Sequence, residues 1–278
     1  GEKLVSCDDL KLIFDKCQLP CCIANTILPV PSDSDLKLNC CLSNLVNVLL
    51  VSTSPISWPI GRESELLENA EPLAYTDILL YEYTDDDNSG VIKYTRIEFC
   101  GLAFEPNKEI NGLTLASVGR NTTVDHVQVS YSNDDSYEWF GGTVNCKHLI
   151  SFKTTDDDFD TDFGYTGAVQ FGIAFKDSQL YDMSWNAPSG ASTSETFESD
   201  NDASGSGRLP LTSAVFSNMT CVGPVPAGMT WSQLTTAQKG AFRRGARIRR
   251  NSRLSIINSI FMGYRNFVMF DGDSVLVN

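Results

Sequence analysis

Glycine is missing between Gly1 and Gly61, a stretch where average usage of about 7% predicts roughly four. Corners in that stretch therefore have to be turned by other residues, and Cys or Asn stands where a corner glycine is expected. Long hydrophobic runs are missing too. Nothing approaches the roughly 18 apolar residues of a membrane span, and the nearest stretch, Leu42 to Val51, is interrupted by Asn44 and Asn47. A transmembrane helix and direct membrane insertion are not expected. Positive charge is scarce, with 21 Lys and Arg against 35 Asp and Glu, a net charge of −14 and a pI near 4.5. Nucleic acid and anionic membrane surfaces need a basic face and are not expected as partners; cations and neutral glycans fit better. Helix signals are also few. The one good example runs from Thr230 to Lys239, with Thr230 or Ser232 as cap and Gly240 as stop. No basic segment followed by an apolar one opens the chain, and Val277-Asn278 ends it within a strand-like pattern, so both ends are expected to be cut.

Hydrophobic residues make up 42% of the chain and charged residues 20%, which provides for an ordinary core and argues against disorder. Of nine cysteines, Cys7, Cys17, Cys21, Cys22, Cys40 and Cys41 crowd the beginning. Their adjacent pairs do not have the C-x2-C spacing of zinc sites, and disulfides among them are open in pairing. Cys100, Cys146 and Cys221 lie beside apolar strand residues and read as buried small hydrophobes. Asn121-Thr122-Thr123 and Asn218-Met219-Thr220 match the N-glycosylation pattern, a motif short enough to match by accident.

What is present is alternation and repetition. Val91, Lys93, Thr95, Ile97 and Phe99 are expected to share one strand face; Leu113 and Leu115 mark a second strand, and residues 124–131 a third. The segment from His126 lies over the segment from His148 at a constant offset of 22 residues: Asp134-Asp135 over Asp156-Asp157, Tyr137 over Phe159, Glu138 over Asp160, Gly142 over Gly164. A period of that length, built of short strands and turns, is one coil of a parallel β-helix. Further coils are expected at Ala168–Phe175, Ala214–Val222 and Arg247–Met262, with Asp177–Thr196 and Gly223–Gly240 thrown out as loops. Asp35–Asn39, Leu42, Pro55-Ile56 and Trp58–Ser64 read as opening coils. The fold class expected is all-β, a right-handed parallel β-helix forming one domain over residues 1–278, with opening coils in 1–84.

From about Asp85 to Asn278 the chain resembles a family of secreted β-helix proteins from Bacteroidota and related bacteria. The motifs that carry the resemblance are Asp87-Asn88-Ser89-Gly90-Val91-Ile92-Lys93-Tyr94, Glu109-Ile110-Asn111-Gly112-Leu113-Thr114-Leu115, Asp134–Gly142, Asp156–Asp162, Phe197–Asn201 and Arg249-Arg250-Asn251. The resemblance implies a pectate-lyase-like fold, export, and residence outside the cell or on the bacterial cell surface. It brings no defined activity.

An offset of one coil places equivalent residues about 4.8 Å apart. Two carboxylates at that spacing repel by roughly 3.5 kcal/mol at an effective dielectric near 20, and by about 1 kcal/mol in water. Stacked acids therefore need counter-charge. Ca2+ takes six to eight oxygens, and Asp134, Asp135, Glu138, Asp156, Asp157, Asp158, Asp160 and Asp162 are the expected ligands of a structural calcium. Arginine forks are the other source, from Arg243, Arg244, Arg247, Arg249, Arg250 and Arg253. Asp158, Asp160 and Asp162 alternate as in an EF-hand, but Phe163 and Val169 replace its glycine and glutamate. Solvated turn acids are the plainest reading, and Glu198–Asp202 either extends the row or forms a loop.

Three functions fit. The first is a surface protein binding or displaying glycans, stiffened by calcium, with Trp139, Arg249 and Arg250 as glycan contacts and a glycan or other surface component as partner. The second is a polysaccharide lyase or glycoside hydrolase acting on an acidic polysaccharide, using Asp135, Asp157 or Asp158 as paired carboxylates or Arg247 or Arg249 as base. Gly-His-Gly and Arg-Ile-Lys signatures are absent, and Arg247-Ile248-Arg249 only echoes the latter. The third is a stalk or adhesin segment. His126 and His148 are expected to stack at the edges of neighbouring strands, with a metal or catalytic role as the alternative, and Tyr137, Trp139, Phe140, Phe159 and Phe163 are either core stacks or a sugar platform. The oligomeric state is open.

Overall fold

The computed structural model describes residues 25–27, 47–51, 85–101, 111–183 and 192–272, the first two segments as backbone only. The cysteines before residue 42 and the proposed opening coils at 35–39, 42 and 55–64 lie outside them. The strands are β1 (Asn25–Ile27), β2 (Asn47–Val51), β3 (Val91–Glu98), β4 (Leu113–Ala116), β5 (Thr123–Ser130), β6 (Tyr137–Phe140), β7 (Cys146–Phe152), β8 (Phe159–Asp162), β9 (Ala168–Phe175), β10 (Phe197–Ser199), β11 (Val215–Val222), β12 (Ala246–Arg249), β13 (Ser255–Ile257), β14 (Ile260–Met262) and β15 (Val268–Asp271).

They form two parallel sheets. The short-strand sheet has the order β1-β2-β4-β6-β8-β10-β12-β15, and the long-strand sheet β13-β11-β9-β7-β5-β3, with β14 also beside β11. The chain passes from one sheet to the other and returns one strand further along, which is a parallel β-helix. The offset of 22 is the actual register, since Tyr137 pairs with Phe159 in one sheet and Val127 with Leu149 in the other.

In-register stacking fills the interior with columns. Leu113, Tyr137, Phe159, Phe197 and Ala246 form one, with ring centroids 5.5 Å apart between Tyr137 and Phe159 and 5.4 Å between Phe159 and Phe197. Ile92, Val124, Cys146, Val169 and Phe216 form the facing column. Cys100, Cys146 and Cys221 are buried free thiols. Gly142 and Gly164 occupy left-handed backbone at φ 86° and 82°, and a Cβ on Gly142 would stand 2.6 Å from the Val118 amide nitrogen. Only glycine meets both conditions.

Three expectations need correction. The long strands bend at a left-handed residue, namely Tyr94, His126, His148, Phe171, Asn218 and Asn258, with φ between 48° and 63°. The bend resets the alternation, so in β3 Ile92 and Ile97 are buried while Lys93, and Phe99 just past the strand, are exposed. Second, residues 247–262 are not one run, because β12 belongs to the short-strand sheet and β13 and β14 to the other. Third, the helix expected from Thr230 is a 3-10 turn (Trp231–Gln233) followed by α1 (Thr236–Ala241), each opened by its own capping box, from Thr230 and from Thr235. The second box captures the chain where a single helix would have continued.

Loss of the buried Trp139 ring, which stacks on Tyr165 at 5.4 Å, is expected to be severe. Trp139→Ala should cost about 3–5 kcal/mol in urea unfolding, whereas Lys93→Ala on the exposed side should stay within about 0.5 kcal/mol.

Candidate functional site

Alternate residues of the short strands face outward, and register turns each such position into a column. Thr114, Glu138, Asp160, Glu198 and Arg247 follow one another on β4, β6, β8, β10 and β12. In the turn entering this sheet, Asp135 Oδ1 accepts the Asp157 amide at 2.9 Å, and Asp157 Oδ1 accepts the Glu195 amide at 2.5 Å. Each carboxylate is thus tied to the backbone of the next coil. One coil beyond Glu195, Arg244 places its Nε 2.7 Å from Glu195 Oε1. Past the strand ends, Arg249 contacts Asp200 at 2.8 Å and also pairs with Glu198. In each case a run of carboxylates is followed by an arginine.

The arginine end is neutralised. Arg247 bridges Glu198 at 3.3 Å and Asp271 at 2.7 Å, and Arg250 reaches Asp200 at 2.9 Å. Burial alone would lower the guanidinium pKa of Arg247 and Arg249, but Glu198, joined at Arg249 by Asp200, holds both above their ordinary value. Both arginines are engaged in ion pairs, which fits charge compensation better than a role as base. Burial pushes Glu195 up to about 7, with Arg244 pulling the other way.

The opposite end has no such partner. Among the described residues Asp135, Glu138, Asp156 and Asp160 form no ion pair. Glu138 accepts from the Asn111 side chain, and Asp156 Oδ2 from Ser192 at 2.5 Å. Asp156 Oδ1 and Asp160 Oδ1 are buried without a hydrogen-bond partner. Burial raises all four carboxyls, as it does Asp157, and neighbouring carboxylates raise them further. Carboxylate oxygens of Asp134, Asp135 and Asp156 converge within 4.8 Å of one another, as do those of Asp135, Glu138 and Asp160, and of Asp157, Glu195 and Glu198. Asp162 lies on the outer side of β8 and is half-buried.

Two expected site residues are elsewhere. Asp158 is fully buried and turned into the coil, where Lys176 Nζ stands 3.4 Å away and Ser151 donates at 2.5 Å. It therefore joins neither the outer acids nor an accessible catalytic pair. Trp139, at 0% exposure, is core, because alternate residues of β6 point inward; it offers no face to a sugar. Tyr137 and Phe159 are core for the same reason.

Glu195 was not apparent from the period, because an insertion before β10 stretches its offset from Asp157 to 38. A local pattern marks it: acid, any residue, aromatic, acid, in Asp135-Ser136-Tyr137-Glu138, Asp157-Asp158-Phe159-Asp160 and Glu195-Thr196-Phe197-Glu198. The insertions after β9 and β11 pack together beside this edge of the sheet, through Gln238 Nε2 donating to the Ser178 carbonyl at 2.8 Å and an edge contact of Tyr181 with Phe242 at 5.8 Å.

A family model described as a pectate-lyase like beta helix domain matches residues 76–276. The chain belongs to this family. No curated protein and no solved structure matches it. Within the pectate-lyase-like fold, the short-strand sheet of this chain therefore presents a graded face, carboxylate at one end and guanidinium at the other.

Carboxyls whose folded pKa lies above the unfolded value stabilise fully below the unfolded pKa, near 4, and lose that contribution as pH rises through the raised values. With divalent cations chelated, the melting temperature should fall as pH goes from about 4 to 8. A melt series in which it rises instead would show that these acids are already compensated.

Proposed function

We propose that the protein is an exported, surface-located β-helix that binds acidic glycans, with calcium held at the uncompensated end of the acidic face. The observation that carries this reading is that, among the described residues, Asp135, Glu138, Asp156 and Asp160 form no ion pair, and that Asp156 Oδ1 and Asp160 Oδ1 are buried without a hydrogen-bond partner. Hard oxygen donors in this number suit calcium. Asp134 and Asp135 with Asp156, and Glu138 with Asp160, are the ligands proposed. Asp157 and Asp162 support the same row, and Asp158 is left out because Lys176 pairs with it. A bound calcium with open coordination positions would receive a uronate carboxylate or sugar hydroxyls, and the exposed Arg250 beside Asp200 offers a second contact further along.

A polysaccharide-cleaving activity is the second reading. It is favoured by raised carboxyls in neighbouring coils, Asp135 and Asp157, where one protonated and one ionised acid would serve hydrolysis.

Melts in calcium and in chelator test the ion. Calcium at about a hundred times its Kd adds roughly 2.7 kcal/mol, or about 5–10 °C for a domain of this size. Asp160→Asn should lose most of this response and yet melt higher than wild type in chelator, because a repulsive charge is gone. Equal melts in calcium and chelator would overturn the calcium reading. Glycan arrays with calcium should retain acidic glycans and lose them in chelator; release of shortened products from the same glycans would move the assignment to the enzyme.

A further inference from the structure

The only two histidines in the chain lie on the outer face of the long-strand sheet, away from the acidic row. His126 on β5 and His148 on β7 are equivalent residues of adjacent coils, flanked by the pairs Asp125 with Lys147 and Val127 with Leu149. Their rings stack with centroids 4.2 Å apart. Both Nδ1 atoms are directed at one oxygen, Asp125 Oδ1, at 2.8 Å from His126 and 2.7 Å from His148. Tyr94 stacks beyond His126 at 4.8 Å and Phe171 beyond His148 at 5.3 Å. The imidazoles are therefore held from both ends of the column, and side-chain exposures of 42% and 41% leave their outer sides open to solvent.

We propose that Asp125, His126 and His148 form a binding site for a borderline divalent transition ion, with zinc as its simplest probe. Donor atoms from the three side chains converge within 4.8 Å of one another. A tetrahedral zinc with bonds of about 2.0–2.1 Å places its ligands roughly 3.3 Å apart. The present oxygen-to-nitrogen separations of 2.8 and 2.7 Å thus need to open by roughly 0.5 Å, with the Asp125 carboxylate drawing back as the ion enters between the three donors. An ion bound at both Nδ1 atoms requires the neutral tautomer with its proton on Nε2, on the open side of each ring. Two nitrogen donors select zinc, nickel or copper over calcium, so this site and the acidic row sort ions by donor type. Lys93 Nζ, 4.0 Å from Asp125 Oδ2, attends the second carboxylate oxygen and leaves Oδ1 to the ion. The fourth position is open to water or to an oxygen of a ligand, and the bound ion clamps two neighbouring coils together.

Column stacking alone does not need histidine, since the same bend is occupied by Asn218 in β11 and by Asn258 between β13 and β14. His126→Asn and His148→Asn therefore keep a residue that this backbone accepts while removing the donors. Zinc is titrated by calorimetry into the untagged protein in saturating calcium, which occupies oxygen-rich sites. Wild type should show one zinc that each variant, and Asp125→Asn, weakens by at least about tenfold, with unchanged melts in calcium alone. Zinc held by the cysteines near the beginning of the chain would persist in all variants. An isotherm that is the same in wild type and in the double histidine variant overturns the site. Should a variant fold poorly, histidine-ring NMR of wild type decides: zinc must shift both Nδ1 resonances, and unmoved rings overturn the site equally.

Discussion

Parallel strands repeat at about 4.8 Å, and in a coil that repeats in register this spacing acts on side chains as much as on backbone. Whatever stands at one position faces its equivalent on the next coil. Inside, the effect is favourable, because Tyr137, Phe159 and Phe197 stack ring on ring and Phe216 meets Phe197 edge-on at 5.0 Å. Outside, the same rule places Glu138, Asp160 and Glu198 in one line, where every added coil adds repulsion.

The chain meets that repulsion differently at the two ends of the row. Toward β12 each run of carboxylates is followed by an arginine, and the guanidinium groups of Arg244, Arg247 and Arg249 take up the charge of Glu195, Glu198 and Asp200. Toward β6 and β8 the carboxylates are half to fully buried, and among the described residues Asp135, Glu138, Asp156 and Asp160 form no ion pair. The proposal of calcium rests on this asymmetry. The buried pair of Lys176 and Asp158 is a separate arrangement, placed in the interior between the two sheets.

Much of this was legible before any coordinates. The 22-residue offset between the His126 and His148 segments is the true register, and the stacking of Glu138 on Asp160 follows from it. The insertions after β9 and after β11 were recognisable because they interrupt the period. Less was legible where the backbone departs from a regular strand. Left-handed residues such as Tyr94 and Phe171 carry no glycine signal, so the inward phase of β3 was misjudged. Asp158 looked like one more acid in a run of three, yet the turn departs from strict alternation: Asp158 and Phe159 both point inward, Asp158 toward Lys176 and Ser151, while Asp157 and Asp160 stay with the outer row.

The sequence by itself determined the repeat, its strand composition and the excess of acid in its turns, because periodicity and charge are properties of residue order. Only the tertiary structure decided which acids are compensated and which are not. That depends on distances between residues 38 to 51 positions apart, such as Asp157 and Glu195 or Glu198 and Arg249, and insertions of unequal length between coils hide those neighbours from any constant offset. Folding closes the insertions out and restores the register, and with it the line of charge along the sheet.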